Sequence, residues 1–433
     1  MTAPDEVVVG GARPLRGRVR VPGDKSISHR ALLFAALADG RSTITGLAPG
    51  ADVAATRRSL EQLGVRIKGT TGRLTVTANG VDGLREAEGV IDCANSGTSM
   101  RVLSGLLAGR SFLSVLDGDT SLRGRPMARV VEPLRAMGAA IDGRAGGTLA
   151  PLVVRGGDLS GCRHTPSVAS AQVKSALVLA GLQAAGVTEI VEPGATRDHT
   201  ERMLAALGAP VTTSDRTVRV EAGAPNPFEL DVPGDPSSAA FFVVAACITA
   251  GSDIVIEDVS LNPSRIAFVT VLQRMGADIE IEPHTDRVGE PVGNISVRAA
   301  ALHGTTIAGD EVTSAMDEIP ALAVAAAFAD GVTDIRDAAE LRVKESDRIG
   351  TVQQELGQLG IGVESRPDGL SIRGGRPRAG LLKGHGDHRI AMAVAVAGHA
   401  IEADSTVRGW SIVAVSYPDF LDDFARLSEG GAR

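Results

Sequence analysis

The sequence predicts an α/β protein of two domains, each made of three repeated α/β units. Three observations support this fold class. A helix-ending pattern recurs along the chain, a second and more apolar type of helix occurs once in each repeat, and a tetrapeptide recurs at half the chain length. A fixed period of this kind is typical of repeat architectures, so it constrains the fold more strongly than any single motif.

The helix-ending pattern is Leu-x-x-Leu-Gly or Leu-x-x-Met-Gly, found five times with consecutive glycines 68 to 84 residues apart. Glycine is favoured directly after a helix because the chain often turns there in a left-handed conformation. An apolar β-branched residue soon follows each glycine and is predicted to belong to the next strand. The stretch 421–427 predicts a sixth helix of this type. The glycines are Gly64, Gly138, Gly208, Gly276 and Gly360.

The second type of helix is rich in alanine and apolar on nearly all sides. A helix without a polar face has to be buried inside its domain. Six such helices are predicted, at 28–38, 98–108, 170–185, 237–250, 319–329 and 388–400. Between the helices, alternating stretches such as 65–77 and 362–373 predict β-hairpins.

The recurring tetrapeptide divides the chain into two halves. Val21-Pro22-Gly23-Asp24 reappears as Val232-Pro233-Gly234-Asp235, a shift of 211 residues in a chain of 433. Each copy precedes a predicted buried helix and contains Pro-Gly, so both are predicted to be crossovers between two globular halves, near 22–24 and 232–235. The predicted domains are 24–232, and 1–23 together with 233–433. Chance recurrence of a common turn is the alternative.

Composition excludes several classes of protein. The net charge is −8, with nine Phe, one Trp and one Tyr, so neither the basic surface nor the aromatic platforms of a nucleic-acid-binding protein are expected. Cys93, Cys162 and Cys247 are odd in number and far apart, which argues against a disulfide framework. No signal-like start and no apolar stretch of about 18 residues is present. We expect a cytoplasmic protein with no nucleic-acid or membrane partner.

Polar residues concentrate at the starts of the six predicted buried helices. A helix start offers unpaired backbone N–H groups and a partial positive charge, which together favour an anion. For any single helix the simpler explanation is that the Ser, Asn and Asp residues are N-caps. The starts are Lys25-Ser26-Ile27-Ser28-His29-Arg30, Asn95-Ser96-Gly97-Thr98, Ser170-Ala171-Gln172, Asp235-Pro236-Ser237-Ser238, Asp317-Glu318 and Asp387-His388-Arg389.

N-capping does not account for the cations in the same first turns, because a cation opposes the helix dipole there. Their presence indicates anionic ligands of high charge. These cations are Lys25, Arg30, Arg101, Lys174 and Arg389.

More cations lie in Arg123-Gly124-Arg125-Pro126, in Arg197-Asp198-His199 and in the stretch 342–348. In the last of these, Lys344 and Arg348 would share one face if the stretch were helical, with Glu345 beside them. A solvated charged surface is the commoner explanation for such a stretch.

Two familiar sites are excluded. Gly23-Asp24-Lys25-Ser26 is not a P-loop, because Asp24 separates Gly from Lys and Arg18 stands where that motif needs Gly. His385-Gly386-Asp387-His388 has neither the spacing of a helical zinc motif nor an identifiable third ligand. We expect no metal and no cofactor.

The ordered motifs resemble the 5-enolpyruvylshikimate-3-phosphate synthase family over essentially the whole chain. This resemblance implies an inside-out α/β barrel in each domain, with buried helices surrounded by sheets and outer helices. It also implies that the two domains close like a clamp on shikimate 3-phosphate and phosphoenolpyruvate. The motifs are Pro22-Gly23-Asp24-Lys25-Ser26-Ile27-Ser28-His29-Arg30-Ala31, Asn95-Ser96-Gly97-Thr98-Ser99-Met100-Arg101, Arg125-Pro126, Ser170-Ala171-Gln172-Val173-Lys174-Ser175, Asp317-Glu318-Ile319-Pro320, Leu341-Arg342-Val343-Lys344-Glu345-Ser346-Asp347-Arg348 and Asp387-His388-Arg389-Ile390-Ala391-Met392.

The resemblance also implies the reaction and the substrate-binding residues. The enolpyruvyl group would pass to the 5-hydroxyl of shikimate 3-phosphate, with release of inorganic phosphate. Residues implied to hold phosphoenolpyruvate are Lys25, Gly97, Arg125, Arg348 and Arg389. Residues implied to hold shikimate 3-phosphate are Ser26, Arg30, Ser170, Ala171, Gln172, Arg197 and Lys344.

The reaction needs a base for the 5-hydroxyl proton and an acid for the methylene carbon, with both roles reversed during elimination. By resemblance, Asp317 is the base, while Lys25 and Glu345 transfer protons at the methylene carbon. The sequence leaves open which of the two performs each step. The resemblance also implies a monomer.

The sequence departs from the family pattern at three positions. Ala171 stands where many members have Ser, Val102 where many have Pro, and Val415 where some have a Lys that helps to hold phosphoenolpyruvate. Gly97, in place of the Ala of naturally resistant relatives, suggests that glyphosate fits the phosphoenolpyruvate site.

Two other functions are weighed. A UDP-N-acetylglucosamine enolpyruvyl transferase resembles this family in fold, but it carries Asn after its cleft Lys and usually a Cys before its Arg-Pro. Here Ser26 follows Lys25, and no Cys lies between 94 and 161. A non-catalytic repeat scaffold is the second alternative, and it gives no reason for Lys25, Asp317 and Glu345 to occur together.

Overall fold

A computed structural model describes residues 4–429, which pack into two compact units. The N-terminal unit comprises Gly23–Val232 and Asp286–Glu290. The C-terminal unit comprises the chain up to Pro22, Pro233–Thr285, and the chain from Pro291. The chain therefore passes from one unit to the other within each copy of the recurring tetrapeptide.

The helices are numbered along the chain. They are α1 (Lys25–Leu37), α2 (Ala51–Gln62), α3 (Gly97–Leu107), α4 (Thr120–Arg123), α5 (Ala128–Ala136), α6 (Arg144–Gly147), α7 (Ala171–Gly181), α8 (His199–Ala206), α9 (Pro236–Ile248), α10 (Ala267–Arg274), α11 (Asp310–Ala315), α12 (Ile319–Phe328), α13 (Arg348–Gln358), α14 (His388–His399) and α15 (Phe420–Ser428). Short 3₁₀ helices cover Val81–Gly83, Ala339–Val343 and Trp410–Val415.

The strands are numbered in the same way. They are β1 (Glu6–Val9), β2 (Arg16–Val19), β3 (Asp39–Thr45), β4 (Arg66–Thr70), β5 (Arg73–Asn79), β6 (Ile91–Asp92), β7 (Leu113–Asp117), β8 (Ala140–Gly143), β9 (Leu149–Arg155), β10 (Arg163–His164), β11 (Thr188–Val191), β12 (Val211–Ser214), β13 (Thr217–Val220), β14 (Glu229–Asp231), β15 (Asp253–Ser260), β16 (Asp278–Arg287), β17 (Glu290–Arg298), β18 (Thr306–Ile307), β19 (Val332–Ile335), β20 (Gly362–Arg366), β21 (Gly369–Arg373), β22 (Leu381–Lys383) and β23 (Ser405–Arg408).

Three sheets in the N-terminal unit repeat one topology. Their strand orders are β14-β3-β5-β4, β6-β7-β9-β8 and β10-β11-β13-β12. In each sheet the first two strands are parallel and the last two form an antiparallel hairpin. In the second and third sheets the parallel pair is joined through a buried helix, which makes each repeat a small βαβ unit followed by a hairpin.

The C-terminal unit repeats this topology with two exceptions. Its sheets have the orders β16-β17-β15-β2, β18-β19-β21-β20 and β1-β23-β22. The third sheet has only three strands, because β1 from the chain start takes the place of the hairpin that would follow β23. At the two crossovers, the strand that precedes the buried helix pairs in a sheet of the other unit. β2 precedes α1 but pairs with β15, and β14 precedes α9 but pairs with β3.

The six apolar helices predicted from the sequence are confirmed. They are α1, α3, α7, α9, α12 and α14, and nearly every residue of α9 and α12 is buried. The helix predicted at 170–185 is shorter than expected, because α7 ends at Gly181. Apolar side chains of these helices and of the inner sheet faces form one core in each unit. Burial of a fully apolar helix within its domain explains the absence of a polar face.

The helix-ending pattern is also confirmed. The five glycines lie one residue beyond the C-caps of α2, α5, α8, α10 and α13, and all have φ between 79° and 109°. This is the left-handed region that glycine occupies without strain. The predicted sixth helix is α15, and the predicted hairpins at 65–77 and 362–373 are β4-β5 and β20-β21. The fold class is therefore as the sequence predicts.

None of the helices in residues 4–429 is long and apolar enough to span a membrane.

Candidate active site

The starts of the buried helices carry N-caps, as the simpler explanation predicted, in five cases out of six. The side-chain oxygens of five residues accept a hydrogen bond from a backbone N–H in the first turn. These residues are Asp24, Ser96, Ser170, Asp235 and Asp387. The sixth helix, α12, differs because Glu318 makes no such bond. Glu318 instead accepts a hydrogen bond from the hydroxyl of Ser237.

Gly97 begins α3 beside two guanidinium groups. A Cβ atom added at Gly97 would lie 2.9 Å from Arg101 Nη1 and 3.5 Å from Arg125 Nη1. Arg125 donates a hydrogen bond to Asn95 Oδ1 at 2.7 Å, which directs its guanidinium toward the start of α3. This helix start therefore combines the positive end of a dipole with two fixed cations, an arrangement suited to a phosphate or carboxylate.

Arg101 also connects this helix start to that of α7. Its Nη1 donates to Gln172 Oε1 at 2.6 Å, and its Nη2 donates to the backbone oxygen of Pro126 at 3.1 Å. Gln172 Nε2 in turn donates to Thr98 Oγ1 at 3.0 Å. The first turns of α3 and α7 are thus held together by polar side chains.

Lys25 lies at the first position of α1. Its Nζ is 3.2 Å from Asp52 Oδ2, and its side chain is one-third exposed. An exposed Lys–Asp pair stabilises a protein by at most about 1 kcal/mol. A phosphorylated ligand can therefore recruit the Lys25 ammonium at low cost.

Arg30 is buried, in contrast to Lys25. Its Nε donates to Thr200 Oγ1 and its Nη2 to Ser175 Oγ, both at 2.7 Å, and its Nη1 donates to the backbone oxygen of Ser26 at 3.0 Å. Burial lowers the pKa of Arg30 to about 10, which leaves it protonated at neutral pH. These bonds tie α1 to α7 and α8.

Lys174 does not have the surroundings of a ligand-binding cation. Its Nζ lies 2.9 Å from Glu192 Oε2 and 2.5 Å from Glu201 Oε1, and its side chain is only 2% exposed. Burial raises the pKa of Glu201, although the charge of Lys174 opposes that rise. Lys174 belongs to the set of cations that the sequence analysis interprets as a sign of anionic ligands, and in the structure two carboxylates balance its charge.

The remaining predicted residues of the N-terminal unit lie near these groups. Ser26 follows Lys25 in α1, Ser170 caps α7, and Ala171 and Gln172 are its first two residues. Arg197 lies in the segment between β11 and α8, two residues before α8 begins. All five side chains are partly exposed.

His29, one helical turn after Lys25 in α1, is buried. Burial lowers its pKa to about 3, so the imidazole is neutral. Its Nδ1 lies 2.7 Å from Thr56 Oγ1, and Thr56 Oγ1 lies 2.7 Å from Ser99 Oγ. These contacts link α1, α2 and α3 beneath the exposed cations.

In the C-terminal unit, Arg348 is the centre of a carboxylate cluster. Its guanidinium contacts Asp387 Oδ2 at 2.8 Å, Glu345 Oε2 at 2.7 Å and Asp317 Oδ1 at 3.3 Å. Burial lowers the pKa of Arg348, but Asp387, Glu345 and Asp317 raise it well above its ordinary value. Arg348 is therefore a permanent cation.

Asp387 and Arg389 complete this cluster at the start of α14. Burial raises the pKa of Asp387, but the positive charge and hydrogen bonds of Arg348 outweigh that effect and lower it overall. Arg389 Nη1 donates to the backbone oxygen of Asp317 at 3.1 Å, and its Nη2 lies 3.7 Å from Asp317 Oδ2. Asp317 is thereby held between two guanidinium groups.

The stretch 342–348 differs from the helical alternative considered above. A 3₁₀ helix ends at Val343, Lys344 is extended with ψ −154°, and α13 begins only at Arg348. Lys344 and Arg348 therefore do not share a helix face. Glu345 reaches Arg348 from a bend instead, so its exposed carboxylate shares this guanidinium with Asp317.

Asp387 and Arg101 are site residues that the sequence-based set omitted. Asp387 was identified only as part of a helix start, yet it supports Arg348 with two hydrogen bonds. Arg101 was noted as a cation near a helix start, yet its contact with Gln172 makes it part of the same arrangement. The available signal was the set of helix-capping residues, among which buried carboxylate partners of the predicted ligand-binding cations could have been sought.

The described residues contain no group of three or more His, Cys, Asp or Glu side chains arranged to hold a metal ion. Cys93 and Cys247 are buried, and burial raises the pKa of each thiol to about 12.

Comparison with known proteins identifies the family. The family model of EPSP synthase (3-phosphoshikimate 1-carboxyvinyltransferase) matches residues 9–424. A 3-phosphoshikimate 1-carboxyvinyltransferase of Synechococcus sp. (strain JA-3-3Ab) is 50% identical over 98% of this chain and 97% of its own. One from Desulforudis audaxviator (strain MP104C) is 52% identical over 94% of this chain and 96% of its own.

Solved structures agree with this assignment. An EPSP synthase from Acinetobacter baumannii is 41% identical, with a TM-score of 0.90 over 98% of each chain. The enolpyruvyl transferase NikO from Streptomyces tendae is only 19% identical, with a TM-score of 0.79 over 98% of this chain and 97% of its own, and it supports the fold alone. The chain belongs to the EPSP synthase family, 3-phosphoshikimate 1-carboxyvinyltransferases.

Proposed function

We propose that this protein transfers the enolpyruvyl group of phosphoenolpyruvate to the 5-hydroxyl of shikimate 3-phosphate and releases inorganic phosphate. This is the carboxyvinyl transfer that its relatives are named for, a step of the shikimate pathway toward aromatic amino acids. The observation that carries the proposal is the cluster in which Asp317 and Glu345 contact Arg348 and Arg389 contacts Asp317, in a chain that the family model matches over residues 9–424. The cluster supplies both carboxylates and cations for the reaction.

Phosphoenolpyruvate would be held by four basic side chains. Lys25, Arg125, Arg348 and Arg389 are the proposed contacts, with the backbone of Gly97 as an additional donor. Two unit negative charges about 5 Å apart repel by roughly 3 kcal/mol at an effective dielectric constant of about 20. A helix dipole contributes about 0.3–1 kcal/mol, or about 2 kcal/mol at most. Fixed cations are therefore needed to hold two phosphorylated substrates together.

Shikimate 3-phosphate would be bound by hydroxyl, amide and basic groups. The proposed residues are Ser26, Arg30, Ser170, Ala171 through its backbone, Gln172, Arg197 and Lys344. Arg30 already makes three hydrogen bonds to protein groups, so most of its contribution would be to orient α7 and α8. Arg197 and Lys344 are partly exposed and can contact a phosphate directly.

The chemistry would proceed by addition and elimination. Asp317 accepts the proton of the 5-hydroxyl as the hydroxyl oxygen bonds to C2 of phosphoenolpyruvate. At the same time Lys25 or Glu345 protonates the methylene carbon. In the second step Lys25 or Glu345 takes a proton back from that carbon, the C–O bond to phosphate breaks, and Asp317 returns its proton to the departing phosphate. Arg348 and Arg389 hold the Asp317 carboxylate in place, because both guanidinium groups lie next to it. No cofactor or metal takes part in this proposal.

The cellular setting follows from the same proposal. We infer a cytoplasmic enzyme that acts as a monomer on two small anionic substrates, with no nucleic-acid or membrane partner. Sedimentation of the purified protein at micromolar concentration tests the monomer, since a single species near 44.4 kDa is expected.

A phosphate-release assay tests the function. The purified protein is mixed with phosphoenolpyruvate and either shikimate 3-phosphate or UDP-N-acetylglucosamine, and inorganic phosphate is measured over time. Release is expected only with shikimate 3-phosphate. Release only with UDP-N-acetylglucosamine would assign the protein to the other transferase, and no release with either acceptor would favour a non-catalytic scaffold.

A further inference from the structure

A buried polar network underlies the residues proposed for shikimate 3-phosphate. It consists of Arg30 in α1, Ser175 in α7 and Thr200 in α8, all buried. The guanidinium contacts each hydroxyl oxygen at 2.7 Å, and the two hydroxyl oxygens are 2.6 Å apart. Three helices therefore meet at one point inside the N-terminal unit.

The direction of each hydrogen bond follows from the number of protons available. Arg30 can only donate, so both hydroxyl oxygens accept from it. Ser175 Oγ also lies 2.6 Å from the backbone oxygen of Ala171, which can only accept. The single proton of Ser175 therefore goes to Ala171, and the proton of Thr200 goes to Ser175. Every hydroxyl in this chain of bonds has a defined role, and the chain ends at the first residue of α7.

A second set of contacts holds the segment that carries Arg197. Lys174 in α7 pairs with Glu192, at the beginning of this segment, and with Glu201 in α8. The hydroxyl of Thr196 donates to Glu192 Oε1. The segment is thus held at both ends against α7, the helix whose start carries Ser170, Ala171 and Gln172.

We propose that Thr200 is a positioning residue for shikimate 3-phosphate: its hydroxyl sets the start of α8 against Arg30 and Ser175, and so holds Arg197 in place relative to the start of α7. This inference rests on the proposed function, and Thr200 itself contacts no substrate in it. Because Arg197 lies only three residues before Thr200, a small shift of α8 moves it directly. Burial lowers the pKa of Arg30, and the positive charge of Arg197 nearby lowers it further.

Two substitutions separate the hydroxyl of Thr200 from its packing. Thr200→Val keeps the volume but removes the hydroxyl, whereas Thr200→Ser keeps the hydroxyl and removes a methyl group. A matched control is Thr188→Val in the same unit, because Thr188 is buried and its hydroxyl has no hydrogen-bond partner among the described residues. Ser175→Ala removes the second hydroxyl of the chain, which provides an independent test if Thr200→Val does not fold.

The test measures KM for each substrate, kcat and thermal unfolding of the full-length variants. For Thr200→Val we expect the KM for shikimate 3-phosphate to rise about tenfold, equal to about 1.4 kcal/mol, as for a lost hydrogen bond to a charged group. The KM for phosphoenolpyruvate and kcat should change less than about threefold. Thr200→Ser and Thr188→Val should resemble the wild type, and Ser175→Ala should resemble Thr200→Val.

Three outcomes would overturn the positioning role while leaving the proposed function intact. The first is an active wild type with an unchanged KM in Thr200→Val. The second is an equal loss in Thr200→Ser, which would indicate packing. The third is a fall in kcat with unchanged KM. If the wild type releases no phosphate from the two substrates, the proposed function itself fails, and this inference fails with it.

Discussion

Replacement of Gly97 by alanine tests whether the start of α3 binds phosphoenolpyruvate. The new Cβ would lie 2.9 Å from Arg101 Nη1, whereas a comfortable carbon–nitrogen contact is about 3.4 Å or more. Arg101 would have to move by about half an ångström. Its hydrogen bonds to Gln172 at 2.6 Å and to Pro126 at 3.1 Å oppose this movement.

The cost of this crowding sets the expected effect. Inserting one methyl group into a well-packed position typically costs about 1–3 kcal/mol. The lower half of this range is appropriate, because the displaced atoms belong to the end of a flexible side chain. A cost of about 1–2 kcal/mol corresponds to about a 5- to 30-fold change in an equilibrium constant. For Gly97→Ala we therefore expect the KM for phosphoenolpyruvate to rise by about 5- to 30-fold. The KM for shikimate 3-phosphate should rise less, through Gln172.

Glyphosate provides a second measurement at the same position. Competition of millimolar glyphosate with phosphoenolpyruvate is expected in the wild type, and Gly97→Ala should weaken it by at least as much as it weakens phosphoenolpyruvate binding. Gly357→Ala is the matched control, because no atom lies within 4 Å of the added Cβ and Gly357 is an exposed residue of α13. That control should leave kinetics unchanged and raise stability by about 0.5–1 kcal/mol. An unchanged KM for phosphoenolpyruvate in Gly97→Ala would refute the assignment of this helix start.

Other substitutions test the carboxylates and the buried cation. Asp317→Ala should keep substrate binding largely intact, since Arg348 and Arg389 remain, but should lose most turnover. Single-turnover kinetics at saturating substrate concentrations would measure this loss. Near-normal turnover would remove Asp317 from the mechanism. Folding lowers the pKa of Asp387 below its unfolded value of about 3.9. The ionised Asp387 therefore stabilises the folded protein above that pH, and this stabilisation is lost as the pH falls through the pKa of the folded state. Acid unfolding of Asp387→Asn should therefore depend less on pH than that of the wild type, and equal pH dependence would contradict the Arg348 pairing. Lys174→Met should destabilise the protein by about 3–5 kcal/mol, as for a broken buried ion pair. The variant should regain stability at acidic pH, because the raised pKa of Glu201 favours the protonated carboxyl group. A thermal unfolding temperature near that of the wild type at neutral pH would show that the ion pairs of Lys174 are unimportant.

Much of the fold could be predicted because the sequence repeats its structural signals. Gly64, Gly138 and the three later glycines each mark a left-handed helix end, and no other residue fits that conformation as well. The exchange of β2 and β14 could not be predicted. Strand pairing across more than 180 residues depends on where the crossovers direct the chain, and neither strand carries a local signal of its partner.

The candidate site was predictable in composition but not in its pairings. The resemblance to the family implied roles for Asp317, Glu345 and Arg348. It did not indicate that one guanidinium would contact three carboxylates, nor that Asp387 would be one of them. These contacts join α13, α14 and the segment before α12, so they depend on the packing of helices far apart in sequence.

Cations at helix starts fall into two physical classes, which the sequence alone does not distinguish. Lys174 is buried with fixed carboxylate partners, and removing its charge from them would cost several kcal/mol, so it is committed to the fold. Lys25 is one-third exposed in a weak pair with Asp52, so an incoming anion can recruit it. Arg348 combines both properties, because its buried side with Asp387 is fixed while its contacts with Asp317 and Glu345 are partly exposed and able to rearrange. The exposure of the carboxylate partners therefore separates cations fixed in the framework from those that we propose as ligands, and Arg348 has partners of both kinds.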